Sequence, residues 1–408
     1  MKSKKRNLGA IEKVFWLLDQ VSQVHFCLAA EIETVCSEAE WRLAIDATQH
    51  KHPLLSAKIC GADDVQPYFD FSTYTKIPIR GVVGGNNRMS WMTEMETELA
   101  MPFDWSIGPL MRAVIVTYPT STVIVIAAHH CIADGLGISF VIRDIVAALS
   151  SVSLVPMPIP PSPDEQLKLA ELLVTETRGY TSGETSIQRH QESRPQVFEH
   201  TLSETFTTAI IDKVKQKGST VNAILSAALV VTGKKLAASW KNNQVRLVVP
   251  VSIRQALGIA EDCGLYITKK TIGFQPDELD LWTMASKVNA EISGINSPEA
   301  VAAETAAIRQ LLFSPMGIQD ISNILQADVG REIMVSNIGR TAYPTQIGTI
   351  KINAMWGPIA LSGSSGDQTV GIATINGKMH LLQVSRIPIP GLLTATVDVL
   401  KEQLELFL

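Results

Sequence analysis

The residue types that could do chemistry gather at His129-His130-Cys131-Ile132-Ala133-Asp134-Gly135. Imidazole titrates near neutrality, so a histidine here suits removal of a proton from a hydroxyl or an amine. If a strand runs into the pair, the two rings point to opposite faces. One would then reach a substrate while the other turns inward and holds the turn. Diverging rings chelate a single metal poorly, and no third and fourth ligand follows at zinc spacing, so no metal is expected. Cys131 sits among apolar neighbours and reads as a small buried residue. A Gly-x-Ser-x-Gly elbow is absent, and Gly135-Leu-Gly137 lacks the third glycine of a dinucleotide loop. Asp134 either orients the histidine or locks the loop through a buried ion pair, for which an arginine fork is the natural partner.

The elements around this cluster must place it. Thr122–Ala128 is apolar and β-rich, the pattern of a buried strand. Residues 135–149 repeat their apolar positions at helical spacing. The histidines therefore stand where a strand ends, and Asp134 and Gly135 where the chain turns into a helix. Loops carried on rigid elements are where catalytic groups concentrate, so this turn is the expected active centre.

The chain has 408 residues, 46% of them hydrophobic and 18% charged. That length favours two domains, with apolar residues to spare for a lined tunnel. The balance of 35 basic and 40 acidic residues, net −5, argues against nucleic-acid binding. No apolar run approaches a membrane span of roughly 20 residues, and the basic start Met1–Asn7 is not followed by the apolar core of a signal peptide. Five scattered cysteines without Cys-x-x-Cys spacing suggest reduced thiols in a cytoplasmic protein.

Along the chain, Leu8–Gln20 is predicted helical and Val24–Ile32 a strand. Ser37 and Glu40 form a capping box for a helix burying Trp41, Ala44, Ile45 and Thr48. Pro53–Ile59 is expected as a strand and Asn87–Met101 as a helix. Leu110–Thr117 and Thr122–Ala128 form a hairpin. Five prolines in 155–163 mark a linker region. Beyond it, helices are expected over 205–217, 221–239, 281–293, 299–312 and 392–406. Strands are expected over 245–251 and 333–340, with a hairpin turning on Asn376-Gly377. Without a repeated βαβ alternation, the fold class expected is α+β.

The heptapeptide 129–135 matches His-His-x-x-x-Asp-Gly, and here the chain resembles the condensation-domain and chloramphenicol acetyltransferase-like acyltransferase superfamily. Further segments match in order: His52-Pro-Leu-Leu55, Pro102–Arg112 ("PFD…GPLxR"), Gly218-Ser-Thr-Val-Asn222, Pro250-Val-Ser-Ile-Arg254 and Val335-Ser-Asn-Ile-Gly339. The last two are similar to elements of stand-alone, polyketide-associated acyltransferases. The Asp-Phe-Gly-Trp-Gly motif of the plant branch is missing; Ala354-Met-Trp-Gly-Pro358 does not replace it. The resemblance implies two lobes of mixed sheet and helices with a tunnel between them, here residues 1–165 and 195–408 joined by 166–194. It implies His130 as general base, His129 and Gly135 as structural, and Asp134 paired with Arg254. It implies Ser336 and Asn337 facing the tunnel, as oxyanion donors or as a structural turn. The expected activity is transfer of an acyl group from a thioester to an alcohol, giving an ester; the alternative is amide formation with an amine. The donor would be an acyl carrier protein's phosphopantetheine or acyl-CoA, with no permanently bound cofactor. The protein would be a free-standing monomer.

Overall fold

Strand pairing places the histidine turn at the heart of the molecule. The computed structural model describes residues 4–61, 66–169, 194–314, 316–361 and 366–405. The first half runs β1 (Lys5–Asn7), α1 (Ala10–Asp19), β2 (His25–Ile32), α2 (Glu38–Lys51), β3 (Lys58–Cys60), β4 (Tyr68–Asp70), β5 (Ile79–Val83) and α3 (Ser90–Ala100). It continues with β6 (Met111–Thr117), β7 (Thr122–His129), α4 (Gly135–Leu149) and α5 (Pro163–Gln166). The second half opens with β8 (Gln196–Leu202), α6 (Glu204–Gln216), α7 (Val221–Leu236), α8 (Ala238–Asn242), β9 (Val245–Ser252) and β10 (Ile267–Phe274). Then come α9 (Leu281–Ile292), α10 (Pro298–Leu312), α11 (Ile318–Val329), β11 (Ile333–Arg340), β12 (Gln346–Ile347) and β13 (Ile350–Ala360). A hairpin, β14 (Gln368–Ile375) and β15 (Lys378–Ser385), leads to α12 (Leu392–Gln403).

These strands form two six-stranded mixed sheets and a small three-stranded one, β1-β4-β3. The first large sheet is ordered β12-β13-β2-β7-β6-β5 and the second β10-β9-β11-β14-β15-β8. All eight residues of β7 are buried, as their unbroken apolar run requires of a strand covered on both faces. It pairs antiparallel with β2, His25 opposite His129, and with β6 in the expected hairpin. The second lobe closes around α7, whose residues from Ala223 to Lys234 are all buried. The architecture is α+β, with helices packed on both sheets.

The first sheet is not built from the first half alone. β12 and β13, from beyond residue 345, cross over, and β13 pairs antiparallel with β2. A division at 166–194 therefore separates the halves of the chain but not the sheets. Residues 170–193 of that expected linker lie outside the described residues. The proline run before it is fastened down: the Met157 amide donates to the Lys51 carbonyl at 2.9 Å, and the Asp164 carboxylate accepts from the Ala10 amide at 2.8 Å.

Local chemistry explains most boundaries. The Ser37 hydroxyl accepts from the Glu40 amide at 3.3 Å and the Glu40 carboxylate accepts from the Ser37 amide at 2.8 Å, closing the capping box that starts α2. Asn376 and Gly377 turn with φ of 49° and 77°, the pair of positive values that a two-residue hairpin of this kind needs. One expectation fails: Pro53–Ser56 is a 3-10 turn, and only Lys58–Cys60 is strand. Proline at the first helical position supplies a suitable φ, and the turn still buries Leu54 and Leu55. Among the described residues no helix is long and apolar enough to cross a membrane.

Candidate active site

β7 ends at His129, and the two histidines part there as strand alternation demands. His129 is fully buried. Its Nδ1 accepts the Cys131 amide at 3.2 Å, and its Nε2 faces Asp19 Oδ2 at 3.4 Å. Burial alone would raise the Asp19 carboxyl, but the neighbouring His129 and His25 and the Val24 amide bring it below the usual range. Phe103 and Arg112, from the matched Pro102–Arg112 segment, brace this side. The Phe103 ring meets His129 edge-on at 6.3 Å, and the Arg112 guanidinium lies over Phe103 at 3.9 Å.

His130 turns the other way, into a cavity of about 700 Å³. Its Nδ1 lies 3.2 Å from the Ala133 carbonyl. A carbonyl only accepts, so Nδ1 carries the proton and Nε2 keeps its lone pair. The ring stacks on Phe26 at 4.4 Å and leans on Phe15 at 4.8 Å. Burial between them pushes the imidazole down to about 3; the charges of His129 and Arg331 add to this and the Ala133 carbonyl opposes it. The ring is thus neutral at physiological pH.

Asp134 fixes the turn. Its backbone donates to the Gly264 carbonyl at 2.9 Å. Its Oδ1 accepts from the Gly137 amide at 2.6 Å, capping α4, and from Arg254 Nη2 at 2.8 Å. Its Oδ2 accepts from the Tyr266 amide at 3.0 Å. Both partners of the ion pair are buried, Asp134 at 2% and Arg254 at 6% exposure. Arg254 also donates to the Asp262 carbonyl at 2.8 Å and lies over the Tyr266 ring at 4.8 Å. The carboxylate thus holds the loop and does not contact His130 in any hydrogen bond among the described residues. Gly135 is required by space: a Cβ there would meet Pro358 Cγ at 2.5 Å and Ile338 Cγ2 at 3.1 Å.

The cavity lies between the lobes. One wall is α1 and β2, with Val14, Phe15 and Phe26; the other is β9, β10, α10, α11 and β11, with Pro358, Ile359 and Ala360 of β13 and the following Leu361 alongside. Ser336 is part of that wall. Asn337 follows it on β11. The next residue on a strand faces the opposite way, and the Asn337 side-chain Oδ1 accepts from the Gly339 amide at 2.8 Å, beside the irregular pairing of β11 with β14. Cys131 is buried, with its Sγ donating to the Glu12 carbonyl at 3.2 Å and its thiol held well above the ordinary range, chiefly by burial. It is a poor nucleophile.

The other matched segments brace this frame. His52 Nε2 lies 2.7 Å from the buried Asp144 of α4. The Thr220 hydroxyl accepts from the Ala223 amide at 3.2 Å and caps α7. Phe26, Asp19, Tyr266 and Arg331 were not singled out from sequence as site residues, and Phe15 only as part of the apolar face of the first helix. Phe26 lies on a strand that was predicted, but its pairing with β7 is seen only in the structure.

No family model matches the sequence, and no curated protein matches it. Solved structures do. The structure of polyketide synthase associated protein 5 from Mycobacterium tuberculosis is 18% identical, with a TM-score of 0.61 over 97% of each chain. The first condensation domain of the calcium-dependent antibiotic synthetase is 14% identical, with a TM-score of 0.67 over 99% of this chain and 96% of that one. The TRI101 protein of F. sporotrichioides, complexed with coenzyme A and T-2, is 12% identical, with a TM-score of 0.67 over 99% of each chain. At such identities the likeness establishes the fold: this chain has the two-lobed, chloramphenicol acetyltransferase-like fold shared by condensation domains and acyltransferases.

Proposed function

We propose that this protein transfers an acyl group from a thioester to the hydroxyl of a small molecule, with His130 as general base. The observation that carries the reading is the His130 ring on the wall of the interlobe cavity, its Nδ1 3.2 Å from the Ala133 carbonyl, which leaves Nε2 as the nitrogen with the lone pair.

In the proposed step Nε2 takes the hydroxyl proton as the oxygen attacks the thioester carbonyl. The tetrahedral oxyanion collapses, the C–S bond breaks, and the imidazolium returns the proton to the departing thiolate. The products are an ester and a free thiol. A base of such low proton affinity removes the proton as the new C–O bond forms rather than beforehand. A polar substrate also restores some solvation to the ring. Ser336, on the cavity wall, is the candidate oxyanion donor, with Asn337 in the adjoining turn. His129, Asp134, Gly135 and Arg254 are positioning residues that hold the turn. Closing the reaction between lobes keeps water from the thioester. The donor is a carrier-protein phosphopantetheine or acyl-CoA entering one end of a through-going channel, and the acceptor enters the other.

The test is incubation with a panel of acyl-CoA and acyl-carrier thioesters and small alcohols and amines, with products read by mass spectrometry. Ester products dependent on His130 support the reading. Amide products alone move it to condensation chemistry, and thioester hydrolysis without transfer overturns it.

A further inference from the structure

The cavity has two unlike walls. On the second-lobe side the lining includes Lys269, Glu304, Asp328 and Arg331. These charged groups have protein partners. Lys269 donates to Asp328 at 2.7 Å, Glu304 accepts from the Thr268 hydroxyl, and Arg331 donates to the Val329 carbonyl at 3.2 Å. On the first-lobe side, among the described residues, the polar side chains of the lining are Ser22, His130 and Asp134, and Asp134 is held by Arg254, Gly137 and Tyr266. The rest of that wall is apolar. On α1, Ile11, Val14, Phe15 and Leu18 recur at the spacing of one helix face, and all four line the cavity. From Ile11 to Leu18 the row runs about 10 Å, at about 1.5 Å of rise per residue. Phe15 leans on the His130 ring at 4.8 Å, so the row passes beside the reacting centre. Water solvates such a row poorly, and each methylene laid against it gains the transfer free energy of an apolar group.

We infer that one of the two substrates carries a hydrocarbon chain that lies along the α1 row, with its reacting end at His130. This assignment deepens the acyl-transfer reading and rests on it for the ligand being a substrate. Binding of the chain itself requires no turnover.

The experiment is isothermal titration of the protein with hexanol, heptanol, octanol and the straight octane diol bearing a hydroxyl at each end. Affinity should rise about fourfold with each methylene buried. The diol should bind about tenfold more weakly than octanol, because its second hydroxyl would lie without a partner against apolar side chains. Val14→Asn, which sets an amide in the row, should weaken octanol by about tenfold. Affinity that stays level along the series overturns the assignment, as does a diol that binds as tightly as octanol or octanol binding that Val14→Asn leaves unchanged. If the variant does not fold, proton contacts between the octanol chain and the Val14 and Leu18 methyls, read by nuclear Overhauser spectroscopy of the unaltered protein, decide the question. They should be present, and their absence overturns the assignment. Transfer rates then identify the substrate. A chain on the donor makes kcat/KM rise from acetyl to octanoyl thioester with propanol as acceptor; a chain on the acceptor makes it rise from propanol to octanol with an acetyl thioester. Transfer that responds to neither overturns the assignment. Chain binding without any transfer would keep the α1 row as the binding surface and remove the transfer reading; transfer without any gain per methylene would do the reverse.

Discussion

Asp134→Asn perturbs a single charge, and the geometry gives the size of the effect. In the folded protein Asp134 receives three hydrogen bonds, from Arg254, Gly137 and Tyr266. An asparagine offers one oxygen where the carboxylate offers two, so its NH2 must face either the Gly137 and Arg254 donors or the Tyr266 amide. The guanidinium, only 6% exposed, loses its countercharge and cannot rotate into water. Breaking a buried pair by removing one partner costs about 3–5 kcal/mol. An exposed pair such as Lys269–Asp328, with Asp328 62% exposed, should cost under about 1 kcal/mol when Asp328 is changed. The assay is equilibrium unfolding in urea of Asp134→Asn, Asp328→Asn and the double replacement Asp134→Leu/Arg254→Met. The first should be destabilised by several kcal/mol and the second hardly at all. The third removes the uncompensated charge but leaves the buried Gly137 and Tyr266 amides without their acceptor, so it should recover only part of the loss. A loss below about 1 kcal/mol for Asp134→Asn would refute the reasoning.

Three further outcomes follow from the same contacts. Cys131→Ala should retain transfer activity within a few fold, because its thiol is buried and held in the protonated form; abolished turnover would revive a thiol mechanism. Gly135→Ala should lower both stability and activity, because the added carbon meets Pro358 at 2.5 Å; an unchanged unfolding midpoint would contradict that crowding. The pH dependence of stability is set in part by three histidines lowered chiefly by loss of solvation, buried His25 to about 3, half-buried His130 to about 3 and buried His380 to about 4. Their folded values lie below the unfolded value near 6.5, so the unfolded chain binds more protons between these limits. Stability is then full above about pH 6.5 and falls as the pH drops toward 4; urea midpoints that stay level across this window would contradict the burial of these rings.

The parts of the fold visible in sequence are those set by local physics. The Ser37–Glu40 box, the Asn376-Gly377 turn and the unbroken apolar run of β7 each decide their structure within a few residues. What sequence pattern left hidden is non-local or masked by polar residues. β10 escapes notice because Lys269 and Lys270 interrupt its alternation and reach out to Asp328 and Glu291. β5 is short and half-exposed at a sheet edge. β13 finds β2 across more than 300 residues, and nothing within Ile350–Ala360 names that partner. At the site, strand alternation predicted that the two rings diverge, and the resemblance named His130 as the one toward the substrate. Arg331 was missed because α11 was missed, and a lone arginine between unassigned segments carries no pattern.

The central claim is that His130 Nε2 removes the acceptor's proton. It is tested most directly by single-turnover transfer from a thioester to a hydroxyl acceptor, comparing the unaltered protein with a folded His130→Ala variant. The account predicts a rate lower by about 10²–10⁴, the usual worth of a general base, with donor binding retained. A His130→Ala protein that transfers at the unaltered rate would contradict it.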